Sequence, residues 1–221
     1  ILAYSIKKNV TQMARMFITG STAQDAIKTL KKMREEKRAF TVDLLGEAVV
    51  SEAEAWEHQK QYMEIIETLA HESLQWNDIP LIDSCHEGPI SKVNVSVKVS
   101  SLYSQFDPID PVNSIAMAKE KLRPLLRRAK ELGVFINLDM ESYFHKDITL
   151  ALFKNLLEEP EFQHHDNVGI VIQAYLKDSE QDLKSLIDSP LPHLTTVNFF
   201  QTKISREVLI EFLRKHDQIS D

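Results

Sequence analysis

The sequence predicts an α/β fold of the (β/α) TIM-barrel type: about half of a distorted eight-stranded barrel, preceded by an N-terminal helical segment. Three observations predict it. First, four apolar, β-branched runs each end in a polar side chain: Phe40-Thr41-Val42-Asp43, Val93 to Lys98, Val134 to Asp139, and Gly169 to Gln173. Second, each run is followed by apolar residues at helical spacing. Third, successive runs lie roughly 50 and then roughly 35 residues apart, room for one crossover helix each time. A polar group at the C-terminal end of a buried parallel strand lies where such barrels place their chemistry. A charge there is costly to desolvate alone, so it should find a partner or a ligand. Asp43, Lys98, Asp139 and Gln173 are therefore expected to share one rim.

Residues 1–38 read as the helical segment and 39–221 as the partial barrel. Met13, Met16 and Phe17 form an apolar stripe that Gly20-Ser21-Thr22 interrupts. Ser21 or Thr22 can cap a second helix carrying Ala26, Ile27, Leu30 and Met33. The mixed charges from Lys28 to Arg38 read as an exposed face. After the first strand, Ser51-Glu52-Ala53-Glu54 is a capping box for a long helix with Trp56, Tyr62, Ile65, Ile66 and Leu69 inward. Asn77 to Ile90, with Pro80, Gly88 and Pro89, reads as a loop. Beyond Lys98, Ser100 to Pro108 is too polar and Pro-broken for a helix. A helix from about Pro111 to Leu132 ends at Gly133, with Pro124 expected to kink or restart it. Helices follow over Lys146–Leu157 and from Ser179 to about Pro190. A fifth strand over Thr195–Phe200 and a last helix over Arg206–Lys215 close the pattern. Gly46, Gly133 and Gly169 flank strands, where a backbone turns tightly or approaches another. A closed eight-stranded barrel takes ~250 residues, so about half is in view.

The 221 residues are 43% hydrophobic and 27% charged, ordinary for a chain that can bury a core. A net charge of −7 argues against nucleic acid as a partner, since phosphate binding needs a basic surface. A single cysteine, Cys85, forbids an internal disulfide and suits a reducing compartment. No apolar stretch reaches the roughly 20 residues that cross a bilayer. The first residues lack a signal-peptide layout and an initiator Met, so the chain is expected to be a piece of something longer.

At the rim, Lys98 either holds a carboxylate or forms a structural ion pair with Asp139. Asp139 and Glu141, two apart, are expected to share a face for acid–base work; otherwise Asp139 pairs with Lys98 and Glu141 caps a helix. Gln173 offers a donor and an acceptor, which suits the edge of a heterocycle or a loop hydrogen bond, with Tyr175 on the same face. Asp43 and Glu47, four apart across Gly46, form either a loop clamp or a helix cap. No metal site is expected: Cys85-His86-Glu87 matches a metal or nucleophile triplet only in composition. His164-His165-Asp166 reads as a solvated turn. No Gly-rich phosphate loop, Gly-x-Ser-x-Gly elbow or CxxC occurs.

Four segments carry a resemblance: Thr41 to Ala48, Val95 to Leu102, Asn137 to Tyr143, and Gly169 to Tyr175. Together and in this order they resemble the proline dehydrogenase domain, closest to that of bifunctional proline utilization proteins, from about Asn9 to Ile187. The resemblance implies a distorted (β/α)8 barrel with FAD at the strand C-termini. It implies oxidation of L-proline to 1-pyrroline-5-carboxylate, with a membrane quinone as electron acceptor. Lys98 then looks like the lysine on the proline carboxylate, and Asp139 like the aspartate beside the substrate ring. Gln173 looks like the glutamine that hydrogen-bonds the flavin, with Tyr175 beside it. Glu47 and Asp43 belong to a gate over the substrate. A cytoplasmic location, peripheral contact with an inner membrane and self-association fit the same resemblance.

Two departures limit it. The family's fifth strand carries an Arg-Leu-Val-Lys-Gly-Ala-Tyr-Trp motif for the flavin, where this sequence has Asp188 to Thr195 with no match. The family's last helix, which supplies a Tyr and an Arg-Arg pair for the substrate carboxylate, has no counterpart here. The chain alone is thus expected to carry part of each site and to bind FAD weakly or not at all. Two other functions compete: a non-catalytic half-barrel that binds a partner through raw sheet edges, and a flavin-free (β/α) enzyme acting on a small carboxylate.

Overall fold

A computed structural model describes residues 18–46, 49–85 and 88–189, together with the backbone of Thr196–Phe200. In chain order the elements are α1 (Ala23–Glu35), β1 (Val42–Asp43), α2 (Glu52–Ser73), α3 (Pro80–Asp83), β2 (Ser84–Cys85), β3 (Gly88–Pro89), β4 (Asn94–Val97), α4 (Pro111–Leu132), β5 (Phe135–Leu138), α5 (Lys146–Leu157), β6 (Val168–Gln173), α6 (Ser179–Ile187) and β7 (Thr196–Phe200). Short 3-10 turns follow β4 at Val99–Ser101 and precede α5 at Tyr143–His145.

The sheet order is β1-β4-β5-β6-β7, every pairing parallel. Among the described residues the strands of this sheet thus enter in strict chain order, with no reversal of the kind that gives doubly wound sheets their switch point. β6 is buried along its whole length, as expected of a strand covered on both faces. Val95, Val97, Ile136, Leu138 and Ile170 are fully buried and share one core with Ile66 and Leu69 of α2, Leu122 and Leu126 of α4 and Phe153 of α5. The helices pack in sequence too, α1 on α2, α2 on α4, α4 on α5 and α5 on α6.

Local signals explain most boundaries. Thr22 caps α1, its hydroxyl accepting from the Asp25 N–H at 3.1 Å. Ser51 caps α2 by accepting from Glu54 N–H at 3.2 Å, while Glu54 reaches back to accept from Val50 N–H at 3.0 Å, one residue earlier than a strict capping box. Asp110 caps α4, and Gly133 ends it in the left-handed conformation at φ 67°. Pro124 neither ends nor restarts α4, which runs unbroken from Pro111 to Leu132.

Several expectations are corrected. Asn77 to Ile90 holds α3 and the two-stranded β2–β3 ribbon, because Pro80 opens a helical turn and Asp83 closes it on Ile79 N–H. Trp56 is half exposed, with the Lys60 ammonium over its ring at 3.4 Å, so the apolar stripe of α2 begins one turn later. Gly169 lies inside β6, opposite Asn137 and Thr196, and does not flank it. The charged run of α1 is not wholly solvated: Arg34 is buried and paired bidentately with buried Asp83, at 2.8 and 2.7 Å. The stripe of Met13, Met16 and Phe17 and the helix expected over Arg206–Lys215 lie outside the described residues.

His165 is likewise not a solvated turn. It is buried, its ring stacked on Phe162 with centroids 6.4 Å apart. Burial, helped by the charge of Lys130, pulls its pKa down to about 4. The unfolded chain therefore takes up a proton below about pH 6.5 that the folded chain accepts only near pH 4. Stability is fully present above the first value and declines through that window, by at most about 3 kcal/mol. Urea midpoints measured from pH 7 to pH 4 are expected to fall more steeply in the native chain than in a His165→Leu variant.

Candidate active site

Register brings the rim together. Val97 pairs with Leu138, so Lys98 and Asp139 stand level, each one residue beyond its strand, and Asp43 lies opposite Ser96 on the other side of β4. Lys98 is 7% exposed, and its ammonium is ion-paired with Asp43 and lies 3.7 Å from Asp139. Asp43, by contrast, is 44% exposed in its side chain. The two carboxylates thus flank one buried cation, and Asp43 is the more exposed of the two. Burial pushes the Asp139 carboxyl above its ordinary value, and the Lys98 charge counteracts this only in part. The Asp139 backbone is fixed to β4 by its N–H on Val97 O at 3.0 Å, and its side chain accepts from Met140 N–H at 2.9 Å.

Gln173 closes β6 and is buried. Its amide nitrogen donates to Met140 O at 3.3 Å, whereas its amide oxygen is buried without a hydrogen-bond partner. An orphaned buried acceptor is costly, so it marks a place where a donor belongs. Tyr175 lies beyond the strand and is about half exposed. Glu47 lies outside the described residues. Asp139 and Glu141 do not share a strand face, since β5 ends at Leu138. Glu141 turns instead to the loop after β4, where its carboxylate accepts from Ser100 N–H at 3.1 Å and from the Ser100 hydroxyl.

The sequence reading missed the floor of this site. Ser96 and Asn137 are buried polar residues in the strands below Lys98 and Asp139. Their alternation with Val95, Val97, Ile136 and Leu138 is the signal that marks them. Tyr62, taken for core filling, accepts the Lys98 N–H at 3.1 Å. No spacing rule reveals that contact, because it spans 36 residues between two elements. Among the described residues no group of His, Cys, Asp and Glu could hold a metal, Cys85 is exposed, and His86 and Glu87 lie outside them. Among the same residues no helix is long and apolar enough to cross a membrane.

Fold and rim together define a parallel α/β domain with a cation–carboxylate site at its strand C-termini. The sequence profile of the proline dehydrogenase family matches residues 26–193, and the chain belongs to that family. It is 28% identical to the bifunctional protein PutA of Escherichia coli over 80% of this chain and 12% of that protein. It is 30% identical to proline dehydrogenase 1 of Bacillus subtilis subsp. natto over 79% of this chain and 48% of that protein. The crystal structure of proline utilization A from Bdellovibrio bacteriovorus, inactivated by N-propargylglycine, superposes with a TM-score of 0.85 at 45% identity, covering 97% of this chain and 22% of that one. The chain thus spans half or less of the length of these relatives.

Proposed function

We propose that the protein oxidises L-proline to 1-pyrroline-5-carboxylate with FAD, passing electrons to a quinone, and that this chain supplies one side of the site. The sheet is read as part of a (β/α) barrel completed by further strands. The observation that supports the reading most is the buried Lys98 ammonium 3.7 Å from Asp139, at the rim where Gln173 keeps an unpartnered acceptor.

Each residue then has a task that its surroundings suit. Proline is a zwitterion with its carboxylate one carbon from the ring nitrogen. The Lys98 ammonium holds that carboxylate by a charge-assisted hydrogen bond. The exposed Asp43 carboxylate occupies the same cation until substrate arrives, then turns outward as part of a gate with Glu47. Asp139, less exposed than Asp43, faces the ring nitrogen and fixes which face of the ring is presented. Gln173 is oriented by its bond to Met140 O, so its free oxygen accepts an N–H from the edge of a heterocycle, and Tyr175 borders that edge. The donor set fits a flavin, which when bound takes up hydride from the substrate. No nucleophile is needed.

Proline-dependent reduction of an artificial electron acceptor by the flavin-loaded intact protein tests the reading. Reduction with L-proline and none with L-alanine is expected. Flavin-loaded protein that leaves the acceptor oxidised with proline contradicts it.

A further inference from the structure

The turn that carries Lys98 is hydrogen-bonded to three other parts of the fold. β4 ends at Val97, and the amide of the next residue, Lys98, donates to the phenol of Tyr62 on α2. Tyr62 is fully buried, and burial pushes its pKa up to about 12, so the phenol stays neutral. The Lys98 carbonyl accepts from the Ser101 hydroxyl at 2.7 Å and from Ser101 N–H at 3.2 Å. Ser100, itself buried, gives its N–H and hydroxyl to Glu141 in the loop after β5, while its carbonyl accepts Val49 N–H at 3.4 Å from the loop after β1. The turn that carries the ammonium is therefore tied to α2 below and to both flanking loops beside it.

We propose that Tyr62 and Glu141 are positioning residues for the Lys98 ammonium: the phenol fixes the backbone that carries it, and the carboxylate ties that backbone to the loop bearing Asp139. The inference rests on the reading of Lys98 and Asp139 as a substrate-holding pair. A lysine side chain has many accessible rotamers, so its head is placed only as well as its backbone and walls are held. A phenylalanine at position 62 would fill nearly the same volume and leave the Lys98 amide buried without its acceptor.

The test reads the separation of Lys98 and Asp139 without using the reaction. Carboxyl carbon NMR follows the Asp139 titration in the intact protein, in Lys98→Ala, in Tyr62→Phe and in the double variant. Asp139 faces Lys98 from the loop after β4 and Asp43 from β1, and Tyr62→Phe changes no charge. Lys98→Ala should raise the Asp139 midpoint, and Tyr62→Phe should raise it by a smaller amount, roughly half a unit. Tyr62→Phe should add nothing in the Lys98→Ala background. The same variant should raise KM for L-proline roughly fivefold with kcat changed less than twofold. A folded Tyr62→Phe protein with a lower Tm but an unmoved Asp139 midpoint overturns the proposal. If Tyr62→Phe does not fold, Ser100→Ala gives the same reading, an upward shift supporting it and an unmoved midpoint overturning it. An Asp139 midpoint indifferent to Lys98→Ala overturns the pair itself, a distinct failure.

Discussion

Lys98→Met in the intact, flavin-loaded protein is expected to lower kcat/KM for L-proline by roughly 30-fold to several thousand-fold. The change keeps the length of the side chain and removes its charge, so the substrate carboxylate faces Asp43 and Asp139 with no cation between them. Losing one partner of a buried, hydrogen-bonded charge pair costs about 2–5 kcal/mol, which sets that range. The loss should fall mainly on KM, because the carboxylate is bound alike in the ground and transition states. Lys98→Arg should recover part of the activity but not all, since a planar guanidinium does not fit where a compact ammonium sits between two carboxylates. Steady-state kinetics with L-proline and an artificial acceptor, at matched flavin content, measures both variants.

Arg34→Ala is expected to destabilise the fold by about 3–5 kcal/mol, more than any surface substitution. Arg34 donates to both oxygens of Asp83 and to Asn77 O at 3.1 Å, while Asp83 also accepts Ile79 N–H at 2.7 Å. The guanidinium lies 5.1 Å from the ring centre of Trp76, which Phe40 meets edge-on. Removing one charge leaves the other buried and unpaired. The double change Arg34→Met with Asp83→Leu should cost much less, because both desolvated charges leave together. Hydrogen bonding from Arg34 holds the Asp83 carboxyl below the usual carboxylate range. Its contribution is therefore present above about pH 3.8 and is lost as pH falls through the lowered value. Urea unfolding of the two single variants and the double variant checks both statements.

Strand identity and order were legible because β-branched runs are buried on both faces, which leaves little room for another reading of Val93 to Lys98 or Val134 to Asp139. The bounds of α4 were legible from Pro111 and Gly133, whose backbone preferences act locally. The meeting of Lys98 with Asp139 followed from strand ends alone, since parallel neighbours of matched length bring their tips level. Other features depend on partners distant in sequence. Arg34 among the charges of α1 looks like its neighbours until Asp83, 49 residues on, is brought against it. His165 reads as solvated beside His164 and Asp166 until Phe162 covers it. Glu141 offered capping or acid–base work by composition, and only the fold of the turn after β4 puts the Ser100 amide within its reach. The short β2–β3 ribbon escaped because two-residue strands leave no periodicity to detect.

A crystal structure of the flavin-loaded intact protein with a five-membered cyclic carboxylate whose ring oxygen replaces the nitrogen, so that it cannot be oxidised, tests directly whether Lys98 and Asp139 hold the substrate. The ligand carboxylate is expected within hydrogen-bond distance of Lys98 Nζ, with Asp43 turned outward and Asp139 beside the ring. A ligand bound elsewhere, with the Lys98–Asp43 pair undisturbed, would contradict this.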